Sequence, residues 1–464
     1  MQRVSRRQFL SAAVAAPLAG RLLGPAQALA ALAAAPRFRS RPDLDPPVVH
    51  VVSAPEGTVP GLIFVACVSG GGQPGPMVID DDGTLVFFRP RPGLTVMNVA
   101  AHRLNGDAVL GWWEGQTTGG HGSGEYVLLG PDYRELTRVR AGNGLTADFH
   151  EFSLTARGSA ILTAYDQRGE LLDSVVQEVD VATGDVLLEW RASDHIPLDD
   201  SYAGPSKGVF DFAHLNAAAV DTDDNLLVSS RHTWTVYKVD RTSGEVIWRL
   251  GGKRSDFAPG DGATFSWQHH VRRHPDGSLS VFDNGAGPVD TEPFSRGLRL
   301  HVDESSGTAS LAHQVVHPDH LLATAMGSME VLDDGGAFVG WGSVPRFSEF
   351  APDGTLRFDA GYPAGGYTYR ALRRLWEGRP VEPPAFVVDR GLRAGFASWN
   401  GATGVAHWRL RTGPRRNALA PGAPVPKRSF ETRLPLAHRS GWAVADALDR
   451  HGRVLASSRA VPLS

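Results

Sequence analysis

One pattern recurs six times along this chain and restricts its fold more than any other feature. An apolar strand ends in polar or aromatic residues, and a second strand then runs through a tight Asp/Gly turn into a third. The copies cover residues 61–68 with 77–90, 107–115 with 126–139, 159–166 with 178–191, 225–232 with 237–250, 278–285 with 298–315, and 336–342 with 347–360. Three of the turns are nearly the same text: Asp180 to Gly184, Asp240 to Gly244, and Asp303 to Gly307. The closing glycine supplies the positive φ that such a turn needs. Strand-rich copies at a spacing of roughly 50 residues predict a β-propeller. Closing the copies into a ring also removes exposed sheet edges. The expected fold class is all-β, a six-bladed β-propeller followed by a C-terminal immunoglobulin/fibronectin III-like β-sandwich. A seventh blade would need residues 38–60 or 366–379, which are instead expected to pair with each other and close the ring.

The propeller is expected over residues 37–378. A Pro-rich run from Glu377 to Pro384 then reads as a linker. Residues 379–464 carry short alternating strands at 395–399, 405–411, 430–436 and 442–448, the pattern of a sandwich, without the cysteine pair of an antibody-type domain. Residues 1–36 read as an address. Ser5-Arg6-Arg7-Gln8-Phe9-Leu10 with an Ala-rich apolar stretch behind it is the pattern of a twin-arginine signal, and Ala28-Leu29-Ala30 offers a cleavage point. This predicts a partnership with the twin-arginine export machinery and an extracellular, cell-surface or periplasmic location. No other stretch is long and apolar enough to span a bilayer.

Composition agrees with a turn-rich chain, with 53 Gly and 32 Pro among 464 residues. The net charge of -4 argues against nucleic acid or an anionic membrane as the main partner. Cys67 is the single cysteine, so no internal disulfide forms, and its apolar surroundings predict a buried strand residue.

The chemistry concentrates on three histidines. His150, in Asp148-Phe149-His150-Glu151-Phe152, lies eight positions before Gly158, and His269, in Trp267-Gln268-His269-His270, lies eight before Gly277. His214, in Asp211-Phe212-Ala213-His214-Leu215-Asn216, fits the same register with a longer turn. Asn98 and Gly327 hold the equivalent places in two other copies. Equivalent repeat positions meet in space, so this level is expected to line a central channel. A second level follows at the strand ends: Trp113, Tyr165, Arg231, Asn284 and Gly342. A guanidinium and imidazoles suit an oxyanion, aromatic walls suit a flat apolar group, and histidine serves as nucleophile or as acid and base. Glu151 is expected either to orient an imidazole or to cap a loop. His270 is expected to point away from the channel. The three histidines come from separate copies without an evident carboxylate partner, so no metal is expected. Gly251-Gly252-Lys253 lacks the phosphate-loop spacing, so no nucleotide cofactor is expected either.

These segments, with Trp112-Trp113-Glu114 leading into Gly115 to Gly124, Ser229-Ser230-Arg231-His232, Trp248-Arg249-Leu250-Gly251-Gly252 and Phe282-Asp283-Asn284-Gly285, resemble the bacterial arylsulfotransferases, most closely their secreted actinobacterial and fungal-like branch. The resemblance covers about residues 38–380. It implies a six-bladed propeller and a ping-pong transfer of a sulfuryl group from an aryl sulfate to a phenol through a sulfohistidine, without a nucleotide donor. By motif, His269 matches the nucleophile, His150 and His214 the assisting histidines, and Arg231 the holder of sulfonate oxygens. Asn216, Asn284, Trp113, Tyr165 and Asn98 are assigned to substrate binding. The chain departs from the family pattern at His270, which stands in place of an acidic residue, and it lacks a cysteine pair found in some members. Two readings compete on the residues alone: a metal-dependent propeller hydrolase or lyase, and a non-enzymatic surface-binding propeller.

Overall fold

The computed structural model describes residues 38–436 and 441–463. The twin-arginine segment lies outside the described residues. Among these residues the chain is all-β, and helix is confined to two single turns, Ala192–His195 and Leu198–Asp200.

Residues 62–374 make six units built on four antiparallel strands, with Ala258–Pro259 adding in parallel to the outer strand of the fifth. Their innermost strands are Leu372–Arg374, Thr95–Leu104, Ala147–Leu154, Leu215–Val220, His269–Arg273 and Ser328–Val331, from the first unit to the sixth. The second and third units join into one sheet through the pairing of Gly124 with Ala147. Middle strands are buried on both faces, as in Leu226–Ser230 and Thr235–Val239, and therefore read as nearly continuous apolar runs. The outer strand Val246–Gly251 alternates between covered and partly open positions because only one face packs.

Alternate residues on each strand feed opposite cores. Ile63 and Val65 pack with Phe338, Phe347 and Phe358 of the sixth unit. Phe64 and Ala66 pack with Leu110 and Trp112 of the second. Four more cores lie between units two and three, three and four, four and five, and five and six. The succession of cores therefore returns to its start in a propeller-like arrangement.

The two terminal segments differ from the expectation that they pair with each other. His50–Ser53 adds to the outer strand Leu356–Gly361 of the sixth unit. Leu372–Arg374 instead supplies the inner strand of the first unit against Leu62–Val65. The first unit is thus built from both ends of the repeat region, so a distant stretch of chain completes its sheet. Cys67 is buried as expected, just beyond the strand Leu62–Val65, and burial pushes its thiol up to about 12.

After the repeats, Ala385–Asp389, Ala394–Ser398 and Glu431–Pro435 form one sheet. His407–Arg415, Ala418–Pro426, Trp442–Leu448, Val454–Ser457 and Val461–Pro462 form another. Phe386, Ala397 and Leu434 from the first meet Trp408, Ala443 and Ala445 from the second in a common core. This segment packs against the repeats. The Asn400 side chain accepts from the Phe88 N–H at 3.0 Å and donates to its carbonyl at 2.8 Å, and the Tyr133 hydroxyl donates to the Gly401 carbonyl at 2.8 Å.

Candidate active site

The inner strands are irregular where the histidine level was expected. Pairing slips between Met97 and Ala100, between Leu215 and Ala217, and between His269 and Arg272. Asn98, His214 and His270 have φ of 55, 51 and 57°. Such bulges turn side chains out of the regular alternation and toward the axis.

His150, His214 and Tyr165 come together. The rings of His150 and His214 are 4.8 Å apart, and Tyr165 lies 5.9 and 6.0 Å from them. Each histidine is tied at Nδ1 to an aspartate in its own motif: His150 to Asp148, and His214 to Asp211 at 2.5 Å. Both aspartates were in the sequence motifs, so the expectation of no carboxylate partner is corrected. The signal for them was the repeated placing of Asp two or three residues before His.

His269 has a different partner. Its Nδ1–H donates to Asn284 Oδ1 at 2.6 Å. The orientation of that amide is fixed, because its NH2 group donates to the carbonyls of Ala323 and Met326 at 2.9 and 3.0 Å. With Nδ1 holding the proton, Nε2 carries the lone pair and accepts from the Met326 N–H at 3.2 Å. Burial, the nearby Arg231 charge and His150 hold His269 well below the ordinary imidazole range, so it is neutral at neutral pH. The Tyr369 ring stands between the histidines, 5.5 Å from His150 and 6.5 Å from His269.

Arg231 lies over the Trp267 ring at 5.0 Å, donates to the Thr324 carbonyl at 2.9 Å and donates to His232 Nε2 at 2.9 Å. Burial lowers it to about 10, so it stays cationic at neutral pH. His232 stacks on His214 at 4.7 Å and passes its Nδ1–H to the Asp211 carbonyl at 2.5 Å. His121 joins from the second unit, with its ring 5.2 Å from His214 and its Nε2 3.0 Å from Asp211 Oδ2. Burial opposes its protonation, but Asp211 outweighs this and raises His121. Burial lowers His214 well below the usual range despite Asp211. His121, Asp211 and His214 keep 18, 15 and 12 % of their side-chain surface, whereas His150 keeps 4 %, which marks the side open to solvent.

Behind the histidines lies a second charged layer. Buried Arg370 donates to the carbonyls of His150 and Asn216 at 2.8 and 3.1 Å and pairs with Glu151 at 3.2 Å. Arg272 reaches the same carboxylate at 2.8 Å. Burial alone would raise Glu151, but the two guanidinium groups hold it below the usual carboxylate range. Glu151 therefore neither orients an imidazole nor caps a loop; it is the shared counter-charge of two arginines and accepts from the strand N–H groups of Phe152 and Ala218 at 2.9 and 3.3 Å. Asn98 belongs to this layer and accepts from Arg370 at 3.3 Å. Asn216 braces the strand of His269 by donating to the Gln268 carbonyl at 2.7 Å. His270 turns away from His269, with Nδ1 2.9 Å from the Met329 carbonyl.

Trp113 is not brought to the site. It is fully buried, donates to the Ala147 carbonyl at 2.9 Å and supports Phe149 edge-on. Its indole is held by the close approach of Gly122 and Gly124, where a Cβ would lie 2.7 and 2.8 Å from it. Sequence reasoning missed His121, His232, Tyr369 and Arg370. The last two sit in a segment read only for ring closure. A cavity of about 330 Å³ is lined by Tyr202, Trp234, Phe257, Phe265, Ser266 and Thr291, and Trp234 meets Trp267 edge-on at 5.2 Å.

Residues 100–362, more than half of the chain, match the family described as arylsulfotransferase (ASST). The chain belongs to the arylsulfotransferase family. No curated protein matches this family member. Solved structures similar to it include a protein of unknown function from Bacteroides caccae, at 14% identity and TM-score 0.45 over 68% of this chain and 99% of that one. TolB from Acinetobacter baumannii has 14% identity and TM-score 0.40 over 69% and 68%. A catalytically inactive virginiamycin B lyase from Staphylococcus aureus has 9% identity and TM-score 0.36 over 75% and 95%. Among the described residues, no helix of this arylsulfotransferase-family chain is long and apolar enough to cross a membrane.

Proposed function

We propose that this chain is an exported aryl-sulfate sulfotransferase that moves a sulfuryl group between phenols through a sulfated His269. The observation that carries the reading is the difference in Nδ1 partners: an amide for His269, carboxylates for His150 and His214. A neutral partner keeps His269 uncharged and nucleophilic at Nε2. It also leaves the Nδ1 proton on the ring after sulfation, so the ring departs as a neutral imidazole in the second half-reaction. Carboxylate partners suit groups that gain and lose a proton during turnover.

In the first half-reaction His269 Nε2 attacks sulfur in line, the sulfur–oxygen bond to the aryl group breaks, and His150 gives the leaving oxygen a proton, since His214 rests neutral with its one N–H held by Asp211. In the second, an acceptor phenol loses its proton to the same base, its oxygen attacks sulfur, and the nitrogen–sulfur bond breaks. Arg231 offsets charge on the sulfuryl oxygens. The Met326 N–H lies 3.2 Å from Nε2 and is placed to shift its bond to one of those oxygens. Tyr165 and Tyr369 offer the aryl ring apolar faces, Asn284 sets the tautomer of the nucleophile, and Asn216 and Asn98 position the strands rather than touch substrate.

The same proposal takes residues 37–378 as a six-bladed propeller, supported by six units with a core between each neighbouring pair. It takes residues 379–464 as an immunoglobulin/fibronectin III-like sandwich, and residues 1–36 as a twin-arginine signal that sends the protein outside the cytoplasm. The test is incubation with a chromogenic aryl sulfate, with and without a phenol acceptor. Phenol-dependent release, absent in His269→Ala, is expected. Release that ignores the acceptor, or that survives His269→Ala, overturns the reading.

A further inference from the structure

We propose that His121, Asp211 and His214 form a binding site for one divalent transition-metal cation of the zinc class, at the solvent side of the histidine cluster. Two separate places in the sequence supply it. His121 begins the strand His121–Leu129 of the second unit, and Asp211 and His214 lie on the loop that leads into Leu215–Val220 of the fourth. His121 Nε2 and His214 Nδ1 converge on one oxygen, Asp211 Oδ2, at 3.0 and 2.5 Å. The three donor atoms all lie within 4.8 Å of one another, close enough for small side-chain shifts to bring them to the roughly 2.0–2.2 Å of zinc ligands.

The Asp211 carboxylate is also incompletely used. Its second oxygen, Oδ1, is buried and has no hydrogen-bond partner among the described residues. The neighbouring Asp148 offers a contrast. One of its oxygens takes the His150 N–H at 2.8 Å and the His150 ring, and the other takes the Gly122 N–H. Asp148 is therefore satisfied by protein donors, whereas Asp211 keeps a buried acceptor to spare, which a cation would satisfy. Two imidazole nitrogens with one carboxylate oxygen suit zinc and the neighbouring first-row ions, and do not suit calcium or magnesium, which prefer all-oxygen sets. The partial exposure of all three side chains gives a cation a way in. The remaining coordination positions would face Tyr165 and His150, whose rings lie 4.3 and 6.4 Å from His121.

Occupancy would change His214. In the present arrangement its Nδ1–H points at Asp211 and Nε2 is an acceptor. A cation on Nδ1 moves that proton to Nε2 and makes His214 a donor toward the cluster. Only this last step rests on the sulfuryl-transfer reading; the binding itself does not.

The test is titration of the chelator-treated full chain with zinc chloride by calorimetry, with cobalt(II) absorption as a second readout, both without any aryl sulfate. Saturable binding of a single equivalent is expected, weakened at least about tenfold in His121→Ala and in Asp211→Asn. The Asp211→Asn variant preserves shape and decides the matter should His121→Ala fail to fold. Absence of saturable binding, or equal affinity in wild type and a folded variant, overturns the proposal. Loss of sulfuryl transfer in His269→Ala leaves the binding result untouched, so the two readings fail separately.

Discussion

Asn284 holds the Nδ1–H of His269 through its amide oxygen at 2.6 Å, and two backbone carbonyls lock that amide so that it cannot turn over. The tautomer of the proposed nucleophile is thus decided by the backbone around residues 323–326. Because His269 is held well below 6.5, its protonation removes the nucleophile only in acid, and the acid limb of kcat/KM should lie below pH 6.5. Asn284→Asp places a carboxylate against the ring, which favours the imidazolium and should move that limb upward by about 1–2 pH units. A pH profile of both proteins checks this, and an unmoved limb would exclude His269 as the titrating group.

Arg231 lies over the Trp267 ring and is bonded to the Thr324 carbonyl and to His232 of the cluster. Arg231→Lys keeps a positive charge but loses the planar fork and the stacking face. The expected cost is on the order of 10²–10³ in kcat, with a smaller change in KM, since the charge matters most where it develops in the transition state. Steady-state kinetics with a good aryl-sulfate donor measures it. A kcat within about twofold of wild type would remove Arg231 from the mechanism.

Glu151, with no exposure of its own, ties its inner strand to that of Arg272 and to the segment just before Leu372–Arg374 through Arg370. Arg370→Met leaves the Glu151 carboxylate with one guanidinium, and leaves the carbonyls of His150 and Asn216 with the Tyr369 hydroxyl as their side-chain donor. Breaking a buried pair in this way costs about 3–5 kcal/mol. Denaturant unfolding should show that loss, and Glu151→Gln in the same background should add to it, because Arg272 then loses its carboxylate as well.

Acid should weaken the fold from pH 6.5 downward. Burial lowers His102 and His232 each to about 4, and it lowers His214, His269 and His270 well below 6.5. Between those values and 6.5 the unfolded chain binds more protons than the folded one, so stability is full above pH 6.5 and falls as pH drops through the window. His121, raised by Asp211, runs the other way and loses its contribution as pH rises through its folded value. Melting temperatures from pH 7.5 to 4.5 test the balance. A flat curve would mean that these imidazoles are not buried in neutral form.

The strands of the repeat were legible because middle strands are buried on both faces and read as apolar runs. The innermost strand of each unit was less so. In the fifth unit it is short, bulged and rich in polar residues, in His269–Arg273, and so lacks a period to follow. The histidine register could be read because repeat equivalence converts sequence position into height along an axis. Trp113 shared that height with Arg231 and Asn284, yet its ring lies in the core behind Phe149. Register gives height, and the local backbone gives direction.

By itself the sequence determined the repeat, the all-β class, the family and the three histidines, because each rests on periodicity or on motifs within a few residues. Tertiary structure decided which groups complete them. Arg370 reaches His150 across 220 positions of chain, His121 meets Asp211 across 90, and Asn284 meets His269 across 15. Such pairings depend on closing the units upon one another, and on buried donors finding the acceptors that remain. Nothing local to His121 or Arg370 marks the partner that each would meet.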